Sequence, residues 1–270
     1  MSSAYGVRRT AHGRKRPLRN PIQLSRPLAA GRESRPLSSP SAVRRPPYAE
    51  SVLITGASGL LGRALVAEFA AAGFSVLAQY RRHAGEDGER VRWLRGDFAS
   101  ARGTAGFLRR HRQALGSCRH VVHNYGPIEE LPTAGLTGDL LASAFQAHIC
   151  PALDITRFLL ARAPLRSVLF IAFEDTGVMR PFLKVLPYAV AKNGLLLLGL
   201  SLAAAHPGVR INVFSPPTLA GAAIRHPRVR PAAPGAVAAR IRRIVQGRAS
   251  GRHYRWSAPR HCGRQEVRHG

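Results

Sequence analysis

Acidic side chains are scarce in this chain. Fourteen Asp and Glu stand against 41 Lys and Arg over 270 residues, a formal net charge of +27 at pH 7. Such a field draws in anions, whether nucleotide phosphates, acidic substrates or nucleic acid, and says nothing about fold. The excess is spread along the chain: +9 in residues 1–50, +2 in residues 257–270 and +16 between them. Cysteine is also scarce. Cys118, Cys150 and Cys262 lie far apart and form no C-x-x-C, which argues against a disulfide framework or a zinc ribbon and suits a reducing cytoplasm. The eleven histidines show no H-E-x-x-H or similar spacing, so no metal centre is expected. The longest apolar run, near Leu195–Ala205, falls short of the roughly 20 residues that span a bilayer. No apolar stretch near the N-terminus reads as a secretory signal. These absences leave the expectation of a cytoplasmic protein with one large domain and no membrane span.

Residues 1–48 are rich in Arg, Pro and Ser and have no apolar period. They are expected to form a disordered basic arm. A transit peptide would share that composition, although the prolines oppose its usual amphipathic helix, and a misassigned start is a third reading. Residues 49–256 have a different texture. Ser51–Thr55, Phe74–Tyr80, Val91–Arg95, His120–His123, Ser167–Ala172, Val209–Phe214 and His253–Trp256 read as strands. Gly62–Ala72, Thr104–Leu115, Leu140–Arg162, the segment from Tyr188 and Ala236–Val245 read as helices. This alternation predicts an α/β fold: a Rossmann-type, doubly wound parallel sheet with helices on both faces. Residues 257–270 read as a basic tail, and no internal repeat is visible.

Between the first strand and the first helix runs Thr55-Gly-Ala-Ser-Gly-Leu-Leu-Gly62. Glycines at 56, 59 and 62 permit a tight turn and a close backbone approach to a pyrophosphate. The following helix start offers unpaired N–H groups and positive dipole, so Gly56, Ser58, Gly59, Leu61 and Gly62 are the expected phosphate cradle. The end of the second strand selects the nucleotide. An NAD site usually has a carboxylate there for the ribose hydroxyls. This chain reads Gln79-Tyr80-Arg81-Arg82, with no acid before Glu86. Two guanidiniums suit a 2′-phosphate, which favours NADP(H), unless both are simply solvated.

Further on, Tyr188-Ala-Val-Ala-Lys192 opens an apolar helical segment. Spacing i, i+4 puts phenol and ammonium on one helical face. A free phenol has a pKa of roughly 10 and exchanges protons poorly at neutral pH. A neighbouring cation favours phenolate, and lowering the pKa by about 3 units takes roughly 4 kcal/mol of differential interaction. The spacing also arises by chance, as a surface tyrosine beside a solvated lysine; the upstream glycine loop is what favours chemistry.

With loop and pair in this order, the chain resembles the short-chain dehydrogenase/reductase family over about residues 50–256. Gly96-Asp97-Phe98 is similar to the family's acidic turn that holds the adenine. His123-Asn124-Tyr125-Gly126 resembles the Asn-Asn-Ala-Gly element lining the cofactor cleft. Asn212-Val-Phe-Ser-Pro-Pro217 resembles the Asn-x-x-x-Pro-Gly turn beside the nicotinamide, which adds Pro216, Pro217 and Thr218 to the expected cofactor contacts. A softer resemblance, carried by Tyr80-Arg81-Arg82-His83 and Gln146-Ala-His148, is to the pteridine reductases of dihydromonapterin type. The resemblance implies an NADP(H)-dependent oxidoreductase with Tyr188 as proton donor and Lys192 on the nicotinamide ribose. It also implies a carbonyl or pteridine-like substrate and a homodimer or homotetramer paired through the Tyr188 helix.

Departures qualify these expectations. No serine stands between Ser167 and Tyr188, where the family places its catalytic serine; Asp175 and Thr176 occupy that stretch and are the candidate substrate-orienting groups. Thr176 would act through its hydroxyl, Asp175 by accepting from a substrate N–H. The family's helix-four asparagine is also missing, with Ala147 or His148 near its place, and Pro217 replaces a glycine. The alternative is therefore a nucleotide-binding scaffold or regulator with weak or lost catalysis. Nucleic-acid binding beyond non-specific contact by the basic arms is not expected.

Overall fold

Short apolar runs rich in Val, Ile, Leu and Phe form seven strands among the described residues: β1 Ser51–Ile54, β2 Ser75–Tyr80, β3 Val91–Arg95, β4 His120–His123, β5 Ser167–Ile171, β6 Arg210–Ser215 and β7 His253–Arg255. The structure is a computed structural model that describes residues 50–128, 133–173, 185–222 and 231–256. The expected arm 1–48 and tail 257–270 lie outside the described residues. All strand pairings are parallel, in the order β3-β2-β1-β4-β5-β6-β7. The expected doubly wound α/β sheet is therefore present.

The strands are apolar on both faces because both are covered. Along β1, Val52 and Ile54 join one buried cluster and Leu53 the other. β5 divides likewise, with Val168 and Phe170 on one face and Leu169 and Ile171 on the opposite one. Helices α1 (Leu60–Ala71) and α7 (Pro234–Gln246) cover the first face, through Leu65, Phe69, Val237 and Ile241. Helices α2 (Ala101–Arg110), α5 (Cys150–Arg162) and α6 (Leu186–Ala205) cover the second, through Phe107, Ile155, Leu159 and Leu195. Each such fully buried side chain contributes roughly 1.5–3 kcal/mol against leaving it exposed.

Two expected helices are each broken in two. Thr104–Leu115 becomes α2 and α3 (Arg112–Leu115), separated at His111, whose Nε2 lies 3.0 Å from the Arg95 carbonyl oxygen. Leu140–Arg162 becomes α4 (Gly138–His148) and α5, because Pro151 sits in the first turn of α5. Proline lacks the N–H that would continue the ladder and is tolerated at a helix start.

At 20 residues and a mean hydropathy of 1.4, α6 has the length and composition of a membrane span, which the shorter run Leu195–Ala205 did not suggest. Here it packs on the sheet. A Cβ on Gly199 would come within 2.6 Å of Val213 Cγ2 and 3.0 Å of Phe170 Cδ2. A Cβ on Gly194 would meet Ile149 Cδ1 at 2.5 Å. These glycines let α6 lie close against β5, β6 and the α4–α5 junction.

Candidate active site

The strand order reverses at β1: the chain crosses from β1 outward to β2 and β3, then returns to place β4 on the other side. The loops after β1 and β4 thus flank a crevice at the strand C-termini, where open α/β sheets bind ligands. Hydrogen bonds lock the two loops together. Tyr125 N–H donates to Thr55 Oγ1 at 3.1 Å and Asn124 Nδ2 to the Gly56 carbonyl at 3.2 Å. Gly56 has φ +65°, and a Cβ there would come within 2.8 Å of Tyr125 Cα. A Cβ on Gly62 would strike the Gly56 carbonyl oxygen at 2.2 Å. Gly59 differs: its Cβ would meet only the Gly56 oxygen, at 3.4 Å, which leaves an open side. Gly59 is the N-cap of α1 and provides no side-chain cap, so the first N–H groups of the helix stay available. Ser58 is half-buried, with its carbonyl accepting from Arg63 Nε at 3.0 Å. Leu61 is buried in the core beneath α1, so only its backbone could serve a ligand.

Sequence reasoning missed Gln79. This fully buried side-chain amide accepts from Gly56 N–H at 2.7 Å and donates to the Gly96 carbonyl at 2.8 Å, while the main-chain carbonyl of Gln79 accepts from Ala57 N–H at 2.8 Å. It ties the glycine loop to the end of β3. The signal was there: a lone amide inside the apolar run Phe74–Tyr80 has to find buried partners. Beyond it, Arg81 is half-buried and Arg82 exposed, and neither forms an ion pair among the described residues. Asp97 is exposed, its Oδ1 accepting from Ala99 N–H at 3.0 Å. Phe98 is buried edge-on against Phe107 and Tyr125, with centroids 5.2 and 5.3 Å apart.

Tyr188 and Lys192 lie in the first two turns of α6. Lys192 is only 2% exposed and donates from Nζ to the carbonyls of Ile171 at 3.0 Å and Tyr125 at 3.3 Å. Gly126 makes room for it, since a Cβ there would come within 2.6 Å of Nζ. Burial without a counter-ion lowers the Lys192 pKa to about 7. The half-buried Tyr188 ring packs edge-on to His148 at 5.4 Å and Phe173 at 5.6 Å. Lys192 Nζ lies 5.8 Å from its centroid. The expected lowering of the Tyr188 pKa by Lys192 does not occur in this arrangement; burial raises it. The ammonium is engaged by backbone carbonyls, and no hydrogen bond joins it to the phenol among the described residues. Desolvation therefore outweighs the cation.

Two histidines complete the inner wall. His148 is 4% exposed and its Nδ1 has no hydrogen-bond partner; a Cβ on Gly126 would lie 2.9 Å from that atom. His123 is stacked on Phe170, with Nε2 2.9 Å from Thr156 Oγ1. Burial, reinforced by the Lys192 charge, pushes each pKa down to about 3, so both are neutral near pH 7. Thr55, Tyr125 and both histidines border a small cavity of about 10 Å³, the size of one water. At the end of β6, Pro217 is buried and Pro216 and Thr218 are half-buried; the Thr218 carbonyl accepts from Ala232 N–H at 2.9 Å. Asp175 and Thr176 lie outside the described residues. The structure thus brings Gly56, Asn124, Tyr125, Gly126, Tyr188 and Lys192 to one place, with Arg81, Asp97 and Phe98 at its β2–β3 end.

Comparison with known proteins agrees with this architecture. Residues 52–127 match the NAD dependent epimerase/dehydratase family. No curated protein matches the sequence. Among solved structures, a short-chain dehydrogenase family protein from Francisella tularensis is similar at 14% identity and a TM-score of 0.66, covering 77% of this chain and 97% of that one. A Brucella ovis short-chain oxidoreductase, solved with a partially ordered NAD, is 19% identical with a TM-score of 0.62, covering 78% and 100%. L-sorbose reductase from Gluconobacter frateurii, solved with NADPH and L-sorbose, is 18% identical with a TM-score of 0.67, covering 77% and 95%. The chain has a Rossmann-type α/β fold. That fold is similar to the fold of these short-chain dehydrogenase/reductase structures.

Proposed function

We propose that this chain is an NADP(H)-dependent oxidoreductase of the short-chain type, acting on a carbonyl or pteridine-like substrate. The observation that carries this reading is the meeting of the glycine loop, the Asn124–Gly126 backbone and the Tyr188–Lys192 pair at the β1–β4 switch point. The open side of Gly59 and the uncapped α1 N-terminus fit a pyrophosphate. Arg81 and Arg82, without ion pairs among the described residues, fit a 2′-phosphate. Bound NADPH would supply the hydride. In its protonated form Lys192 has three N–H donors and spends two on backbone carbonyls, so one is left for a ribose hydroxyl. The raised pKa of Tyr188 keeps its phenol protonated at neutral pH, the state a proton donor needs in the reductive direction. Asp175 or Thr176 would orient the substrate, the carboxylate suiting an N–H-bearing ring such as a pteridine. We place this enzyme in the cytoplasm as a homo-oligomer.

The test is NADPH oxidation over a panel of ketones and dihydropterins. Tyr188→Phe should lower turnover by about 100-fold or more while NADPH affinity barely moves. Equal turnover by the variant would remove Tyr188 from the chemistry. A second reading, a nucleotide-binding protein with weak or lost catalysis, is favoured by the missing bond between Lys192 and the phenol. NADPH binding without turnover of any panel member would select it.

A further inference from the structure

Tyr125 carries a large aromatic ring on the loop after β4, and the reading above uses only its backbone. That backbone is fixed by the Thr55 hydroxyl, by Lys192 Nζ and by the close approach of Gly56. From this anchor beside the glycine loop the ring reaches toward the ends of β2 and β3. It packs edge-on against Phe98 at 5.3 Å, and its phenol lies within the electrostatic reach of both Arg81 and Asp97. A dinucleotide with its pyrophosphate on the α1 N-terminus and its 2′ side at the end of β2 has to run its adenosine between these same groups. We propose that the Tyr125 ring fills the adenosine end of the cleft and sets dinucleotide affinity, because it must turn aside before the adenosine can enter.

The inference rests on the dinucleotide reading above. The ring is half-buried at the edge of the core, against which it packs, and Phe98 is its one aromatic neighbour among the described residues. Turning gives up at least that aromatic pair, which corresponds to an affinity factor of roughly 3 to 10.

Isothermal titration with NADPH, adenosine 2′,5′-bisphosphate and reduced nicotinamide mononucleotide tests this. Tyr125→Ala should tighten binding of the first two by about 3- to 10-fold. It should leave the mononucleotide unchanged, and Tyr125→Phe, which keeps the ring, should behave as wild type. Unchanged or weaker binding of the adenosine ligands by Tyr125→Ala overturns the proposal while the dinucleotide reading stands. If neither wild type nor variant binds any of the three, both fall. The wild-type chain gives a check that needs no variant to fold: nitration by tetranitromethane, mapped by peptide mass. Tyr125 should nitrate faster with adenosine 2′,5′-bisphosphate present; slower nitration would mean the adenine covers the ring, and overturns the proposal.

Discussion

Lys192 is a buried cation whose two hydrogen-bond partners are backbone carbonyls. Its pKa is about 7 in the folded chain, against the ordinary value of 10.5. Between those values the unfolded chain holds a proton that the folded chain has released, so stability rises with pH across that window. The burial penalty is fully present below about 7 and gone above about 10.5. The neighbouring titratable groups act elsewhere: His123 and His148 between about 3 and their ordinary 6.5, and Tyr188 above its ordinary value of 10.0. Replacing Lys192 with Met removes this dependence, whatever fixed offset the two orphaned carbonyls add. The variant's stability relative to wild type should then fall as pH rises from 7 to 10, by up to about 1.4 kcal/mol per unit. Denaturant titrations at several pH values would show it, and a flat difference would mean that Lys192 keeps an ordinary pKa.

At the scale of elements, α6 is the part on which the site depends. It carries Tyr188 and Lys192 in its first turns, and its glycines set how closely it lies against its neighbours. Gly199→Val would drive a branched side chain into Val213 and Phe170, both fully buried. Overpacking of that kind costs about 1–3 kcal/mol and moves the helix that holds the site. Gly106 in α2 provides the contrast, since a Cβ there meets nothing within 4 Å. Gly106→Ala should stabilise by about 0.5–1 kcal/mol through helix propensity alone. Thermal unfolding of both variants checks the pair; no loss of stability in Gly199→Val would show that α6 does not lie so close to β5 and β6. The break between α4 and α5 belongs to this scale too. It ends α4 at His148 and leaves that imidazole facing Gly126 beside Lys192.

At the scale of the molecule, the apolar character of α6 exceeds what one chain covers. Leu197 is 70% exposed, Val190 37% and Phe145 on the adjacent α4 40%. Exposed apolar groups on neighbouring helices favour burial against a second copy. Light scattering should therefore report at least twice the 29.2 kDa of one chain, and Leu197→Glu should shift it toward the monomer. A wild-type monomer would exclude pairing through this face.

Much of this was legible in the sequence. Apolar runs of strand length, the glycines at 56, 59 and 62 and the i, i+4 pair at 188 and 192 are local patterns, and backbone geometry alone converts them into strands, a turn and one helical face. The helix breaks at His111 and Ile149 were less so, because a single proline or bent residue is outweighed by its helical neighbours. What needed the tertiary structure was everything set by partners far apart in the chain. Gln79 holds the glycine loop from 23 residues away, and Lys192 is held by carbonyls 67 and 21 residues distant. Spacing put the phenol and the ammonium on one face, but burial decided their protonation. Desolvation depends on what the whole fold packs around a group, and no local pattern records it.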